Sequence, residues 1–217
     1  MELEKVCAAP LFAGMNPEEV SSILQCLQAQ KKEYQRRETI FPVGKAIDRI
    51  GLVLSGSVMI ERDDYWGNRS ILAAVGEGEI FGETYACLPA QPADICAVAA
   101  QKGEILFLQV GRMLRTCQNA CPFHARLIAN LLEVSAQKNR QLSLKLDILS
   151  KRTTREKLLS YLSSQAVRTG SSSFSIPFNR QQLADFLSVD RSAMTVELGK
   201  LKKEGIIDFE KHQFRIL

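Results

Sequence analysis

The chain has 217 residues, 46% hydrophobic and 24% charged, with a net charge of +4. That length holds two small domains, or one with an appendage, and the composition is that of a folded globular protein. No apolar run reaches the ~20 residues that span a bilayer, and the opening MELEKVCAAPLF lacks the apolar core of a secretory signal, so a cytoplasmic protein with no membrane partner is expected.

In chain order, NPEEVSSILQCLQAQKKEYQ reads as a short helix opening at Asn16, with Pro17 at its first position, where a missing N–H costs nothing. From Thr39 to about Val110 short β-rich runs take over. RIGLVLSGSVMIER is followed by DDYWGNRSILAAVG with Gly67 in the turn, then by GEGEIFGE and ILFLQV. Glycines 44, 51, 56, 67, 76, 78 and 82 recur at turn-like intervals, the pattern of a β-roll or jelly-roll. Six cysteines (Cys7, Cys26, Cys87, Cys96, Cys117 and Cys121) are expected to be reduced thiols in the cytoplasm. Cys117 and Cys121, spaced C-x3-C ahead of a helix, stand as either small buried apolar side chains or a redox or metal pair.

After CPFHAR, with Pro122 near its start, the longest helical pattern begins. Ile128, Leu132, Ser135, Asn139, Leu142, Leu146 and Leu149 follow alternating spacings of four and three, a heptad seam that predicts a coiled-coil dimer. Asn139 within the seam would specify register. The competing reading packs this stripe onto the chain's own β-roll. SKRTTREKLLSYLSSQA continues helically until Gly170 and three serines interrupt, and a strand then leads to a pair of short amphipathic segments.

That pair, NRQQLADFLSVDRSAMTVELGKLKKEG, is separated by a three-residue break. Leu183 and Leu187 are one turn apart in the first segment, and Met194, Leu198 and Leu201 form one apolar face in the second. Asp190 stands where an N-cap belongs. The opposite face of the second helix carries Ser192, Val196, Gly199 and Lys203, flanked by Thr195 and Lys200: small side chains first, positive ones later. This suits a recognition helix that presses on base edges and then passes phosphates. Arg191 offers the planar donor fork that matches guanine O6 and N7, and Val196 suits a thymine methyl. Charge agrees with this placement. Residues 151–217 hold 12 Lys+Arg against 7 Asp+Glu, whereas the preceding residues hold 16 against 17. The ending GIIDFEKHQFRIL reads as a β-wing.

Taken in order, LVLSGSVMI, GEIFGE, SKRTTREKLLSYL, RQQLADFLSVDRSAM and LKKEGIIDF resemble the motifs of the Crp/Fnr superfamily of bacterial transcription regulators, typified by the cyclic-AMP receptor protein and the fumarate–nitrate regulator. The run KRTTREKLLSYLSSQA and the chain's ending look most like members from anaerobic Gram-positive bacteria. The resemblance implies an α+β chain organised as a β-roll effector-sensing domain over residues 1–120, a dimerisation helix over 121–150 and a winged helix-turn-helix over 151–217. It implies a homodimer on a two-fold related double-stranded DNA site, with RNA polymerase as a further partner. It carries Arg191, Ser192, Thr195 and Val196 into base reading, with Lys200 and Lys203 following on the basic end of that face. Asn179, Arg180 and Gln181 become phosphate contacts. The family often has arginine where this chain has Val196, which alters the target sequence expected.

The effector pocket expected by resemblance comprises Gly82, Glu83, Thr84, Ala93 and Asp94. Cyclic-nucleotide binders follow the FGE glutamate, ten residues later, with arginine and then Ser or Thr. Here those positions are Ala93 and Asp94, so a cyclic phosphate would lose its cation and meet a carboxylate. Cyclic AMP is therefore not the expected effector, no cofactor is identified, and an unidentified small molecule is expected instead. Glu83 stands equally as a structural residue of the turn. The N-terminal cysteine cluster of the iron–sulfur branch is missing. A thiol-sensing or ligand-independent regulator of the same fold remains the alternative. Two histidines, His124 and His212, are too few for a cupin-like metalloenzyme, and no G-x-S-x-G or P-loop motif occurs, so an enzyme is not expected.

Overall fold

The computed structural model describes residues 3–88, 91–113 and 122–217. By internal packing the chain divides into two compact units, Met1–Gly67 with Leu72–Lys138, and Asn68–Ile71 with Asn139–Leu217.

The first unit opens with α1 (Leu3–Cys7), a 3-10 turn over Pro10–Phe12, and α2 (Pro17–Cys26). The start of α2 is set by a reciprocal cap: Glu19 N donates to the Asn16 side chain and Asn16 N to the Glu19 carboxylate, each at 2.9 Å. The expected helix over the whole of NPEEVSSILQCLQAQKKEYQ is corrected at its far end. The helix closes at Cys26, Gln28 takes a φ of +49°, and QKKEY forms strand β1 (Gln30–Tyr34). β1 lies at the edge of its sheet, where charged side chains are as much at home as on a helix surface.

Strands β2 (Thr39–Phe41), β3 (Arg49–Ser55), β4 (Val58–Asp63), β5 (Arg69–Val75) and β6 (Ile80–Phe81) follow, then helix α3 (Glu83–Ala86), β7 (Cys96–Ala99), β8 (Gly103–Gln109) and α4 (Val110–Met113). They form two four-stranded sheets, in the orders β1-β8-β3-β6 and β2-β7-β4-β5. Inward-facing Tyr34, Phe41, Val53, Phe81, Ile105 and Phe107 fill the space between the sheets. The outward face of the first sheet presents Ile50, Leu52, Leu54, Leu106 and Leu108 to a second core built with Phe12, Ile23 and Leu127. Burial on both faces explains why RIGLVLS and ILFLQ read as continuous apolar runs rather than alternating ones.

Helix α5 (Pro122–Ser150) runs 29 residues, about 43 Å at 1.5 Å per residue. Leu127 and Leu131 pack into the second core, with Val134 against it. They are not the heptad seam. On that seam Ile128, Leu132, Leu142 and Leu146 are exposed, to 71% at Leu132 and 69% at Leu146. The part of the helix up to Lys138 is thus attached to the first unit by a neighbouring stripe, and these four seam residues are left uncovered.

In the second unit the helix does not run on unbroken from α5, as the sequence suggested. Thr153 caps a new helix, α6 (Thr154–Thr169), through a reciprocal box with Glu156, and Gly170 ends it at φ +65°. TTRE is a capping box, and a sequence search for it places the break. Strand β9 (Ser173–Ser175), α7 (Arg180–Leu187), α8 (Arg191–Lys203), β10 (Ile207–Glu210) and β11 (Gln213–Ile216) complete the unit. β10, β11 and β9 pair antiparallel in that order, giving the expected wing. Leu158, Tyr161, Leu162, Phe178, Leu183, Leu187, Met194, Leu198 and Leu201 are its buried residues around the helix pair.

Candidate functional site

The helix pair is built by local capping. Asn179 accepts from Gln182 N at 2.9 Å and its own N–H donates to the Gln182 side chain at 2.8 Å, so its side chain starts α7. Ser188 takes a left-handed φ of +51° to end α7, and Asp190 accepts from Ala193 N at 2.7 Å to start α8. Lys157 donates to the Leu187 carbonyl at 3.2 Å, satisfying an acceptor the helix end leaves open. With Met194, Leu198 and Leu201 inward, the rotation of α8 is further held by Arg155 of α6. Its guanidinium meets Glu197 at 3.2 Å and pairs with Glu204. The Arg155 hydrogen bond holds the Glu204 carboxyl below its usual range.

Arg191, Ser192, Thr195 and Val196 all lie exposed on the opposite face, Val196 to 59%. Thr195 donates its hydroxyl to the Arg191 carbonyl at 2.8 Å, leaving its lone pairs as acceptors. Lys203 is exposed, and Lys200 pairs with Glu197 at 3.2 Å. Gln181 donates to Asp185 at 2.8 Å. Arg180 is placed more specifically. Its guanidinium lies 4.6 Å from the Phe209 ring centroid and 5.1 Å from that of Phe214, tying α7 to the wing strands β10 and β11. Burial draws its pKa down. Sequence spacing does not reach this contact, because Arg180 and its two rings are about thirty residues apart in the chain.

In the first unit the five expected effector residues lie in different surroundings. Gly82 turns β6 into α3 at φ +83°, and a Cβ there would come within 2.8 Å of the Phe41 ring, so the corner requires glycine. Glu83 is bound internally. Lys138 of α5 donates to Glu83 Oε1 at 2.7 Å and to the Ile80 carbonyl at 2.6 Å, while Glu83 Oε2 is buried without a partner among the described residues. Thr84 is exposed. Ala93 is 1% exposed, in the core with Phe41 and Phe81. Asp94 lies at the surface, 2.7 Å from Arg62 Nη2 and hydrogen-bonded by the Tyr85 hydroxyl. That hydrogen bond, with Arg62 second as a favourable charge, holds the Asp94 carboxyl below its usual range. Burial, and then Asp94 itself, push the Tyr85 phenol up. Lys138, Arg62 and Tyr85 were not reached from sequence, since each meets its partner only through the fold.

An open groove of about 400 Å³ lies elsewhere on this unit, lined by Lys31, Tyr34, Phe41, Arg49 and Phe107 among others, and by none of the five. Cys117 and Cys121 lie outside the described residues. Among the described residues no three His, Cys, Asp or Glu gather as a metal site, and no helix is long and apolar enough to cross a membrane.

A two-sheet β-roll and a winged helix-turn-helix with an exposed, part-basic recognition face define a DNA-binding transcription regulator. Comparison with known proteins agrees. Residues 31–120 match the cyclic nucleotide-binding domain and residues 156–217 the Crp-like helix-turn-helix domain. The cyclic AMP receptor protein of Thermus thermophilus is 30% identical over 199 residues, 92% of this chain and 88% of that one. The crystal structure of the Thermus thermophilus catabolite activator protein matches with a TM-score of 0.52 at 30% identity, covering 96% of this chain and 94% of that one. The c-di-GMP responsive global regulator CLP of Xanthomonas campestris shares the fold, with a TM-score of 0.75 at 16% identity over 93% of this chain and 99% of that one. The chain belongs to the Crp/Fnr superfamily of transcription regulators.

Proposed function

We propose that the protein is a homodimeric, sequence-specific regulator. It reads a two-fold related DNA site with α8 and responds to a small molecule other than cyclic AMP. The carrying observation is the outward face of α8, where Arg191, Ser192, Thr195 and Val196 are all exposed. Arg191 and Val196 read bases, Ser192 and Thr195 bond where they can, and Lys200, Lys203, Asn179, Arg180 and Gln181 meet phosphates. The uncovered residues of the α5 seam support dimerisation, because exposed leucines on one heptad seam bury against a second copy of themselves. Half-sites then lie roughly 34–36 Å apart. RNA polymerase is the further partner in this reading, the cytoplasm the compartment, and residues 1–120, 121–150 and 151–217 the three functional segments.

The effector part of the reading rests on the first unit. Where a cyclic phosphate needs a cation, Ala93 is apolar and buried and Asp94 is an anion already paired with Arg62. Glu83 already has a cation in Lys138. A neutral or cationic ligand suits these carboxylates better than a phosphodiester. Selection of bound duplexes from a randomised pool tests the DNA part: the expected outcome is one enriched inverted repeat, and a pool without enrichment defeats it.

A further inference from the structure

We propose that Cys26 and His124 form a reactive thiol–imidazole pair that takes hydroperoxides, making Cys26 an oxidant-sensitive site. His124 is the one buried polar side chain among the described residues, only 7% exposed, at the edge of an otherwise apolar core. A buried imidazole in such surroundings is costly unless both nitrogens are used. Nδ1 has no partner among the described residues. Nε2 lies 3.5 Å from Cys26 Sγ, across 98 positions of sequence. With the ring proton on Nδ1, the thiol donates to Nε2, and the imidazole is placed to take that proton.

Cys26 is partly exposed at the end of α2 and carries a thiol rather than a disulfide. Its position at a helix C-terminus disfavours the thiolate, whose negative charge faces the helix dipole's negative end. The imidazole opposes this at direct hydrogen-bond range, with Nε2 3.5 Å from the sulfur and free to accept its proton. Cys87 supplies the contrast. It is exposed, yet partial burial, followed by the Glu83 carboxylate, pushes its thiol pKa up, so less of it is the reactive thiolate.

In the step proposed, the Cys26 proton passes to His124 Nε2 and the thiolate attacks the terminal oxygen of the hydroperoxide. An S–O bond forms as the O–O bond breaks, and Nε2 returns its proton to the leaving oxygen as water or an alcohol. The sulfur is oxidised by two electrons to the sulfenic acid, and the peroxide is reduced by two.

The test uses the full-length reduced protein with hydrogen peroxide as oxidant and dimedone as sulfenic-acid trap, read by peptide mass spectrometry. Cys26 should be trapped about tenfold faster than Cys87. His124→Gln should slow Cys26 by about tenfold and leave Cys87 unchanged, Cys87 reporting that the unit is still folded. Should that variant unfold, iodoacetamide labelling of the wild type decides. A Cys26-to-Cys87 rate ratio of about ten or more in buffer must fall to about one in concentrated urea. Equal rates in the folded protein, or an unchanged Cys26 rate in folded His124→Gln, overturn the proposal.

Discussion

Arg180, expected from sequence only as a phosphate contact, has a second role in the fold. If it were only a phosphate contact, Arg180→Ala would weaken DNA binding and leave the fold untouched. Its guanidinium is instead seated on Phe209 and Phe214 at 4.6 and 5.1 Å. Each such contact contributes about 0.5–1 kcal/mol where solvent still reaches the cation. Arg180→Ala should therefore destabilise the winged-helix unit by about 1–2 kcal/mol, which for a unit of this size lowers its Tm by roughly 4–8 °C per kcal/mol. A stacked guanidinium still directs its in-plane N–H groups sideways, so DNA binding should also fall for every sequence, with the salt-dependence slope reduced by about 0.9 for one lost phosphate contact. Arg180→Lys should keep the slope but recover only part of the stability, since an ammonium lacks the flat face. Thermal unfolding beside fluorescence-anisotropy titration at several salt concentrations reads both. Unchanged unfolding in Arg180→Ala refutes the brace, and an unchanged slope refutes the phosphate contact.

Arg191→Ala should cost about 1–3 kcal/mol on the preferred site, with non-specific binding and unfolding little changed; equal loss on all sequences would show that it does not read bases. Leu132→Glu places a charge at the most exposed leucine of the seam and should give a monomer in analytical ultracentrifugation, whereas a surviving dimer would show that another surface holds the copies together. Lys138→Met should destabilise the first unit by about 1–3 kcal/mol by leaving the Glu83 carboxylate buried and unpaired. Glu83→Gln in the same chain should recover much of that loss, and no recovery would mean that Lys138 acts through the Ile80 carbonyl alone. The wild type should show no saturable cyclic-AMP heat in titration calorimetry, and tight binding would overturn the reading of the effector site. Ala93→Arg with Asp94→Ser restores the family's cation, and weak affinity is expected, at the cost of forcing a guanidinium among Phe41 and Phe81.

What the sequence disclosed follows from how local each signal is. Asn16 with Pro17, and Asp190, announce helix starts because a cap and its N–H groups lie within three residues. The apolar stripe of α8 was legible for the same reason, since one turn brings Met194, Leu198 and Leu201 together. β1 was missed because an edge strand of lysines and glutamate has no inward alternation to show. The break at Thr153 was missed although its Thr–Glu box was visible, because the surrounding helical pattern continues on both sides. The seam and the packing stripe of α5 interleave: Leu127 and Ile128, and likewise Leu131 and Leu132, are neighbours in sequence, but one of each pair is buried and the other exposed. The ion pairs at the expected effector residues join positions 55 and 32 apart, Lys138 to Glu83 and Arg62 to Asp94, and no periodicity encodes them.

Those two ion pairs also constrain how a ligand can act. A ligand shifts a conformational equilibrium only by its differential affinity for the two states. Occupying Glu83 means either displacing the Lys138 ammonium or bonding to the remaining oxygen, Oε2, which is buried and unpartnered among the described residues. Displacement leaves a lysine at half-buried depth without its carboxylate and costs on the order of 1–3 kcal/mol before any ligand contact is counted. Bonding to Oε2 requires the packing over that buried oxygen to open and favours a hydrogen-bond donor, whereas a phosphodiester offers acceptors only. Because Lys138 is a residue of α5, either route bears on the contact that joins helix and corner.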